Sequence, residues 1–159
     1  MSTARYRTWS GRWTIFEMSF TFPERLELAR RDTPLQRLPV LSNELGKSIS
    51  VWRDDLTGWA LSGNKIRKLE FLCAEAAAAG ANHLVTCGGP QSNHARATAF
   101  AARTLGWDIT IVVREPPGGF DHAATPNGNL LLNRLLGANF VFIPFDEYQD
   151  KGSVYEPFL

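Results

Sequence analysis

Residues 76–88 read AAAAGANHLVTCG, and a change of secondary structure is written into them. The alanine run suits a helix, the glycine can adopt the left-handed backbone that ends one, and the apolar run suits a strand. The same order of events recurs at 102–114, ARTLGWDITIVVR, and at 133–144, NRLLGANFVFIP. Gly80, Gly106 and Gly137 are the expected C-caps. Three helix-to-strand junctions of one kind predict a βαβ rhythm, and therefore an α/β domain with a parallel sheet and right-handed crossovers.

Working outward, the strands are expected at 83–87, 109–114 and 140–143, short and rich in Val, Ile and Phe, as parallel strands covered on both faces should be. A fourth, at 49–53, precedes the loop DDLTGWALSGN. Helices are expected at 64–79, 92–105 and 127–136, the last introduced by the turn and capping residues of TPNGN. Residues 116–119, PPGG, mark an exposed loop. The repeated unit reads as three crossovers of a single sheet, not as a solenoid.

The chain has 159 residues, enough for one domain with a real core. Seventeen basic residues against sixteen acidic leave little net charge, which gives no electrostatic footprint for nucleic acid or an anionic membrane. Its only cysteines are Cys73 and Cys87, without CxxC or a His/Cys ligand cluster, so neither a disulfide scaffold nor structural zinc is expected. A reducing, cytosolic setting follows as the default. No apolar run approaches the roughly 18 residues of a membrane span. The opening MSTARYRTWSGRWTIFE is basic and rich in Ser and Thr. It is expected to be a flexible tail or an upstream extension ahead of Met18, with a transit peptide as the weaker alternative.

In an open parallel sheet, ligands bind beyond the carboxyl ends of the strands, where loops enter helices. CGGPQSNHAR, residues 87–96, is such a place: a strand end, a glycine pair that lets a ligand approach the backbone, then Ser92 and Asn93 at a helix start. The unsatisfied N–H groups and the dipole there favour a carboxylate or phosphate, although Ser92 or Asn93 could equally serve as a plain N-cap. Neither GxGxxG nor GxxxxGK[ST] is present, and Ser92 is not in a GxSxG elbow. His83, His94 and His122 lack metal-ligand spacing.

The second place is LSGNKIRKLE, residues 61–70. At about 100° per residue, Lys65 shares an angular sector with Leu69, Leu72, Cys73 and Ala76, whereas Arg67, Glu70 and Glu75 fall outside it. A lysine on the apolar side must either reach water along its stem or have chemistry that repays its desolvation. The helix dipole, the neighbouring Arg67 and Lys68, and desolvation would all lower its pKa, and a neutral amine is what Schiff-base chemistry requires.

SGNKIRKLEFL, followed about one helix and one strand later by CGGPQSNHARATA, resembles the D-cysteine desulfhydrase and 1-aminocyclopropane-1-carboxylate deaminase family of pyridoxal-phosphate enzymes. RDDLTG and GNLLLNRLLGA are similar to the same family, so the likeness runs over roughly residues 22–150. It implies a tryptophan synthase beta-like fold and pyridoxal 5′-phosphate as cofactor. It further implies that Lys65 forms the internal aldimine, Lys68 reaches the phosphate and Asn93 bonds the pyridoxal 3′-oxygen. Ser92 would contact the substrate and assist proton transfer, with Asn93 and His94 beside it. The implied reaction is release of hydrogen sulfide, pyruvate and ammonia from D-cysteine. Ring opening of aminocyclopropane carboxylate is the alternative, and LSGNK and QSNH look more like the desulfhydrase branch. A small amino acid is the expected partner, with no nucleic acid or membrane, and a homo-oligomer in the full-length form.

Members of this family are longer, so the chain is expected to be an N-terminal portion that ends inside a domain. The expected division is an extension at 1–21, opening elements of a large domain with the lysine loop at 22–64, a small α/β domain at 65–150, and a tail at 151–159. The rival expectation is a catalytically silent α/β fragment that binds small anions or another protein.

Overall fold

The computed structural model describes residues 4–7, 13–16, 22–58, 63–149 and 151–158. The anticipated rhythm forms its centre. Strands β5 (His83–Gly88), β6 (Asp108–Arg114) and β7 (Asn139–Ile143) make a parallel sheet in the order β5-β6-β7. Helices α2 (Lys65–Ala78), α3 (Asn93–Thr104) and α4 (Gly128–Leu135) precede the three strands in turn. The expected boundaries hold to within a residue or so. Each helix ends two residues before its glycine: the C-caps are Ala79, Leu105 and Leu136 and not the glycines expected there, and Gly80, Gly106 and Gly137 follow them with φ of 79°, 74° and 68°. Without a Cβ these positions turn the chain toward the sheet at no steric cost.

Packing explains the alanine content of α3. One of its faces, through Ala97 and Ala101, meets Ile66, Leu69 and Cys73 of α2. Another, through Ala95, Ala99 and Ala102, lies on Ile109, Ile111 and Val113 of β6. Small side chains let the helix approach both neighbours closely. Alternate residues of β6, Thr110 and Val112, point the other way and are buried as well, so the strand is covered on both faces as its continuous apolar run requires.

Two expectations are corrected. The strand near 49–53 does not join the parallel sheet: β4 (Ser50–Trp52) pairs antiparallel with β3 (Leu35–Arg37), with α1 (Pro39–Leu45) between them. Among the described residues the parallel sheet therefore has three strands and two crossovers, where the sequence predicts three crossovers. Within the expected flexible extension, β1 (Ala4–Arg7) and β2 (Trp13–Phe16) form an antiparallel pair. The expected tail holds a short helix, α5 (Lys151–Tyr155).

The second correction concerns α2. Its buried residues are Ile66, Leu69, Glu70 and Cys73, whereas Leu72 is 51% exposed. The buried stripe is thus turned by about one residue from the expected one and takes in a glutamate. Glu70 is tolerated because its carboxylate is satisfied: Oε1 accepts from the N–H groups of Leu28 and Ala29 at 3.0 Å each, and Oε2 lies 3.4 Å from an Arg25 nitrogen. That clamp ties residues 25–29 to the helix that begins at Lys65.

Candidate active site

Lys65 is the first residue of α2 and is half-buried, at the margin of the stripe and not on its centre. Two anchors fix where it begins. Gly63 donates its N–H to Asp54 O at 2.7 Å, and the fully buried Thr57 places Oγ1 2.9 Å from Asp54 O and 3.2 Å from Gly63 O. Arg67 then reaches back to Asp54 Oδ1 through Nε (2.9 Å) and a terminal nitrogen (2.7 Å). That nitrogen also donates to Thr33 Oγ1 at 2.7 Å, with the guanidinium 5.8 Å from the Trp52 ring centre. The loop that carries the lysine is therefore closed at its base, although Leu61 and Ser62 of the quoted motif lie outside the described residues. Asn64 makes no side-chain cap, so the first N–H groups of α2 are not capped by it.

The second motif follows β5. Ser92 is the N-cap of α3: its Oγ accepts from Ala95 N at 3.1 Å. The capping role allowed for in the sequence is thus real, and it leaves the hydroxyl proton uncommitted among the described residues. Gly88 is required at its position, since a Cβ there would lie 2.5 Å from Ser92 Oγ and 2.6 Å from Ser92 Cβ. A Cβ at Gly89 would meet nothing within 4 Å, so open space lies over the backbone at the helix start. Asn93 is exposed and opens the helix.

His94 links the two motifs. Its pKa is held below the ordinary histidine value first by burial, then by the positive charges of Lys68 and Lys65. Both lysines of α2 therefore act on a residue in the first turn of α3. His94 Nδ1 is buried without a hydrogen-bond partner, beside a cavity of about 140 Å³ lined by Leu69, Leu72, Cys73, Leu84, Val85, Thr86 and Thr98. The other two histidines have ordinary partners: His83 Nε2 lies 2.9 Å from Thr110 Oγ1, and His122 Nε2 lies 2.9 Å from Glu115 Oε1. A separate open cleft of about 360 Å³, between residues 115–119 and 144–146, contains none of the residues singled out in the sequence.

Among the described residues no group of His, Cys, Asp and Glu is arranged to hold a metal ion. What the site offers is two ammonium groups, a helix start with free space above it, an uncommitted hydroxyl and an unpartnered imidazole nitrogen. These suit an anionic ligand carrying an electrophilic carbon better than a metal.

A family model described as pyridoxal-phosphate dependent enzyme matches residues 26–156. The chain belongs to this family. A D-cysteine desulfhydrase of Yersinia enterocolitica is 47% identical over 120 residues, which are 76% of this chain and 36% of the relative. A bifunctional D-cysteine desulfhydrase/1-aminocyclopropane-1-carboxylate deaminase, mitochondrial, of Arabidopsis thaliana is 46% identical over 128 residues, 79% of this chain and 31% of that one. Among solved structures, an ACC deaminase homologue superposes with a TM-score of 0.67 at 40% identity, over 76% of this chain and 35% of its own. The chain thus spans about a third of the length of these pyridoxal-phosphate enzymes. Their fold, with the parallel sheet and the helices on it, is the one found here.

Sequence reasoning missed the residues that hold the site together. Gln91, Asn127 and Asn129 bind the β5–α3 loop to the start of α4, and Thr57, Asp54 and Arg67 close the lysine loop. Cys87, at the end of β5, also accepts from the Tyr148 hydroxyl at 2.7 Å. Burial first, then the Cys87 contact, push Tyr148 up to about 12. The pattern QSN, with GN some 36 residues later, was the available signal, but nothing in it says that the two stretches touch.

Proposed function

We propose that this chain supplies the lysine and the Ser-Asn-His segment of the active site of a pyridoxal-phosphate-dependent lyase acting on a small amino acid, D-cysteine in the first instance. The observation that carries this reading is that α2, which begins at Lys65, packs through Ile66, Leu69 and Cys73 on Ala97 and Ala101 of α3, which begins at Asn93, so two motifs that are separate in sequence start neighbouring helices. Because the chain spans 36% and 31% of the relatives that bear these activities, the activity is proposed for a protein that also provides the remaining length.

Pyridoxal phosphate, when bound, supplies an aldehyde for a lysine amine and a ring that draws electron density from the substrate Cα. Lys65 Nζ is the amine that would hold the cofactor at its aldehyde carbon, and as a free amine it would take the proton from the substrate Cα. Lys68, one turn along α2, is suited to hold the phosphate as a point charge. Asn93 is assigned to the 3′-oxygen. Ser92 keeps its hydroxyl proton available for a substrate carboxylate while its oxygen accepts from Ala95 N. His94, whose pKa is held down first by burial, can hydrogen-bond the substrate without adding positive charge.

With D-cysteine and water the balanced products are hydrogen sulfide, pyruvate and ammonia. The alternative, aminocyclopropane carboxylate, has no α-proton and with water gives 2-oxobutanoate and ammonia. It is favoured equally by the relatives' names. Sulfide and pyruvate formed one to one from D-cysteine, and lost in Lys65→Ala, would bear out the main reading. 2-Oxobutanoate without sulfide would move it to the alternative, and neither product from the complete protein would end it.

A further inference from the structure

Asn93 and Asn129 are 36 residues apart in sequence and joined side chain to side chain, Asn129 Nδ2 donating to Asn93 Oδ1 at 2.9 Å. The same Nδ2 donates to the main-chain oxygen of Gln91, also at 2.9 Å. A peptide carbonyl can only accept, so the atom facing it must be the NH₂ end of Asn129. The atom of Asn93 that meets this NH₂ group must in turn be its carbonyl oxygen. The polarity of both amides, ordinarily ambiguous, therefore follows from one main-chain acceptor.

That acceptor is itself held. Gln91 Oε1 accepts from Asn129 N at 2.8 Å, and Gln91 Nε2 donates to Asn127 O at 3.2 Å and to Asn127 Oδ1 at 3.0 Å. Gln91 thus caps α4 from outside the helix, where Asn127, in the N-cap position, makes no cap of its own. Gly128 has φ of 52°, and a Cβ there would overlap Gln91 Oε1, so this position suits glycine on both counts. Asn93 Nδ2 is left with no hydrogen bond among the described residues.

We propose that Asn129 is a positioning residue that sets the amide polarity of Asn93, committing Asn93 Nδ2 as the donor to the cofactor's 3′-oxygen. This rests on the pyridoxal-phosphate reading above and adds the element that enforces it. A donor at that oxygen favours its anionic form, and an acceptor in its place would favour the protonated form.

Asn129→Asp is the test, because a carboxylate cannot donate. It would lose the Gln91 oxygen and draw Asn93 Nδ2 toward itself, turning Asn93 Oδ1 outward. Without cofactor, side-chain amide exchange followed by NMR should show Asn129 protected and Asn93 unprotected in the parent chain. In Asn129→Asp, the Asn93 amide protons should slow about 10-fold. With pyridoxal phosphate added, the ratio of the visible band (anionic 3′-oxygen) to the near-ultraviolet band (protonated form) should fall about 10-fold in Asn129→Asp. Asn129→Ala, which removes the donor without inverting it, should lie between. In an Asn93→Ala background, Asn129→Asp should leave the ratio unchanged.

A purely structural role would lower the melting temperature and leave the band ratio alone, and that result overturns the proposal. So does protection of the Asn93 amide in the parent chain. Failure of the complete protein to take up cofactor at Lys65 would instead strike the functional reading, with the exchange arm still deciding the polarity.

Discussion

Replacing Glu70 by alanine removes the acceptor for two main-chain N–H groups and the partner of Arg25 in one change. The Glu70 side chain is 4% exposed and that of Arg25 24%. Each N–H left without a partner costs about 1–3 kcal/mol, and breaking a buried charged pair from one side costs about 3–5 kcal/mol. Arg25 can still reach water, so its share is the smaller one. A total of about 3–5 kcal/mol is expected, near 10 °C in melting temperature for a chain of this size. Glu70→Gln keeps an oxygen for Leu28 and Ala29 and gives up only the charge, which puts it at about 1–2 kcal/mol. Urea denaturation followed by tryptophan fluorescence, with circular dichroism as a second probe, measures both. Equal losses for the two variants would mean that the N–H groups are not what Glu70 satisfies, and an alanine variant within about 1 kcal/mol of the parent would refute the clamp.

His94 gives a pH prediction whose sign is set by its lowered pKa. Between the folded and the ordinary value the unfolded chain binds more protons, so the His94 contribution is fully present above about pH 6.5 and is lost as pH falls through the folded value. Melting temperatures from pH 7.5 down to 5 should decline more steeply in the parent than in His94→Gln; parallel curves would contradict this. Gly88→Ala should dislodge the Ser92 cap and cost about 1–2 kcal/mol or more, while Gly89→Ala, with open space at its Cβ, should melt like the parent. Leu35, Val40, Leu45 and Trp52, on β3, α1 and β4, are each more than half exposed, so the chain on its own should self-associate with rising concentration. A monodisperse monomer by size-exclusion chromatography with cooperative melting would contradict that.

The parallel core was legible because its signals are local: alanine-rich helices, glycines that permit a left-handed turn, and strands that alternate or run continuously apolar. Lys65 and the 92–94 segment were legible as a motif, and their meeting at His94 follows from the topology. Glu70 was not, since a charge at the edge of a helical stripe becomes core only if distant N–H groups reach it, and those of Leu28 and Ala29 come from some 40 residues away. The Gln91–Asn129 clamp was hidden for the same reason. TPNGN looks like a self-contained turn, yet its helix is capped by a glutamine 38 residues earlier. The β3–β4 hairpin was missed because a three-residue strand carries too little periodicity, although Pro39 at the first position of α1 was a usable signal.

The central claim is that Lys65, among the lysines of the chain, is the amine that bonds the cofactor. Incubation with pyridoxal phosphate, borohydride reduction and peptide mass spectrometry measures this directly. The account predicts a reduced phosphopyridoxyl group on the peptide that carries Lys65, at close to one per chain, and none there in Lys65→Ala. Label spread evenly over Lys47, Lys68 and Lys151, or absent from position 65, would contradict it.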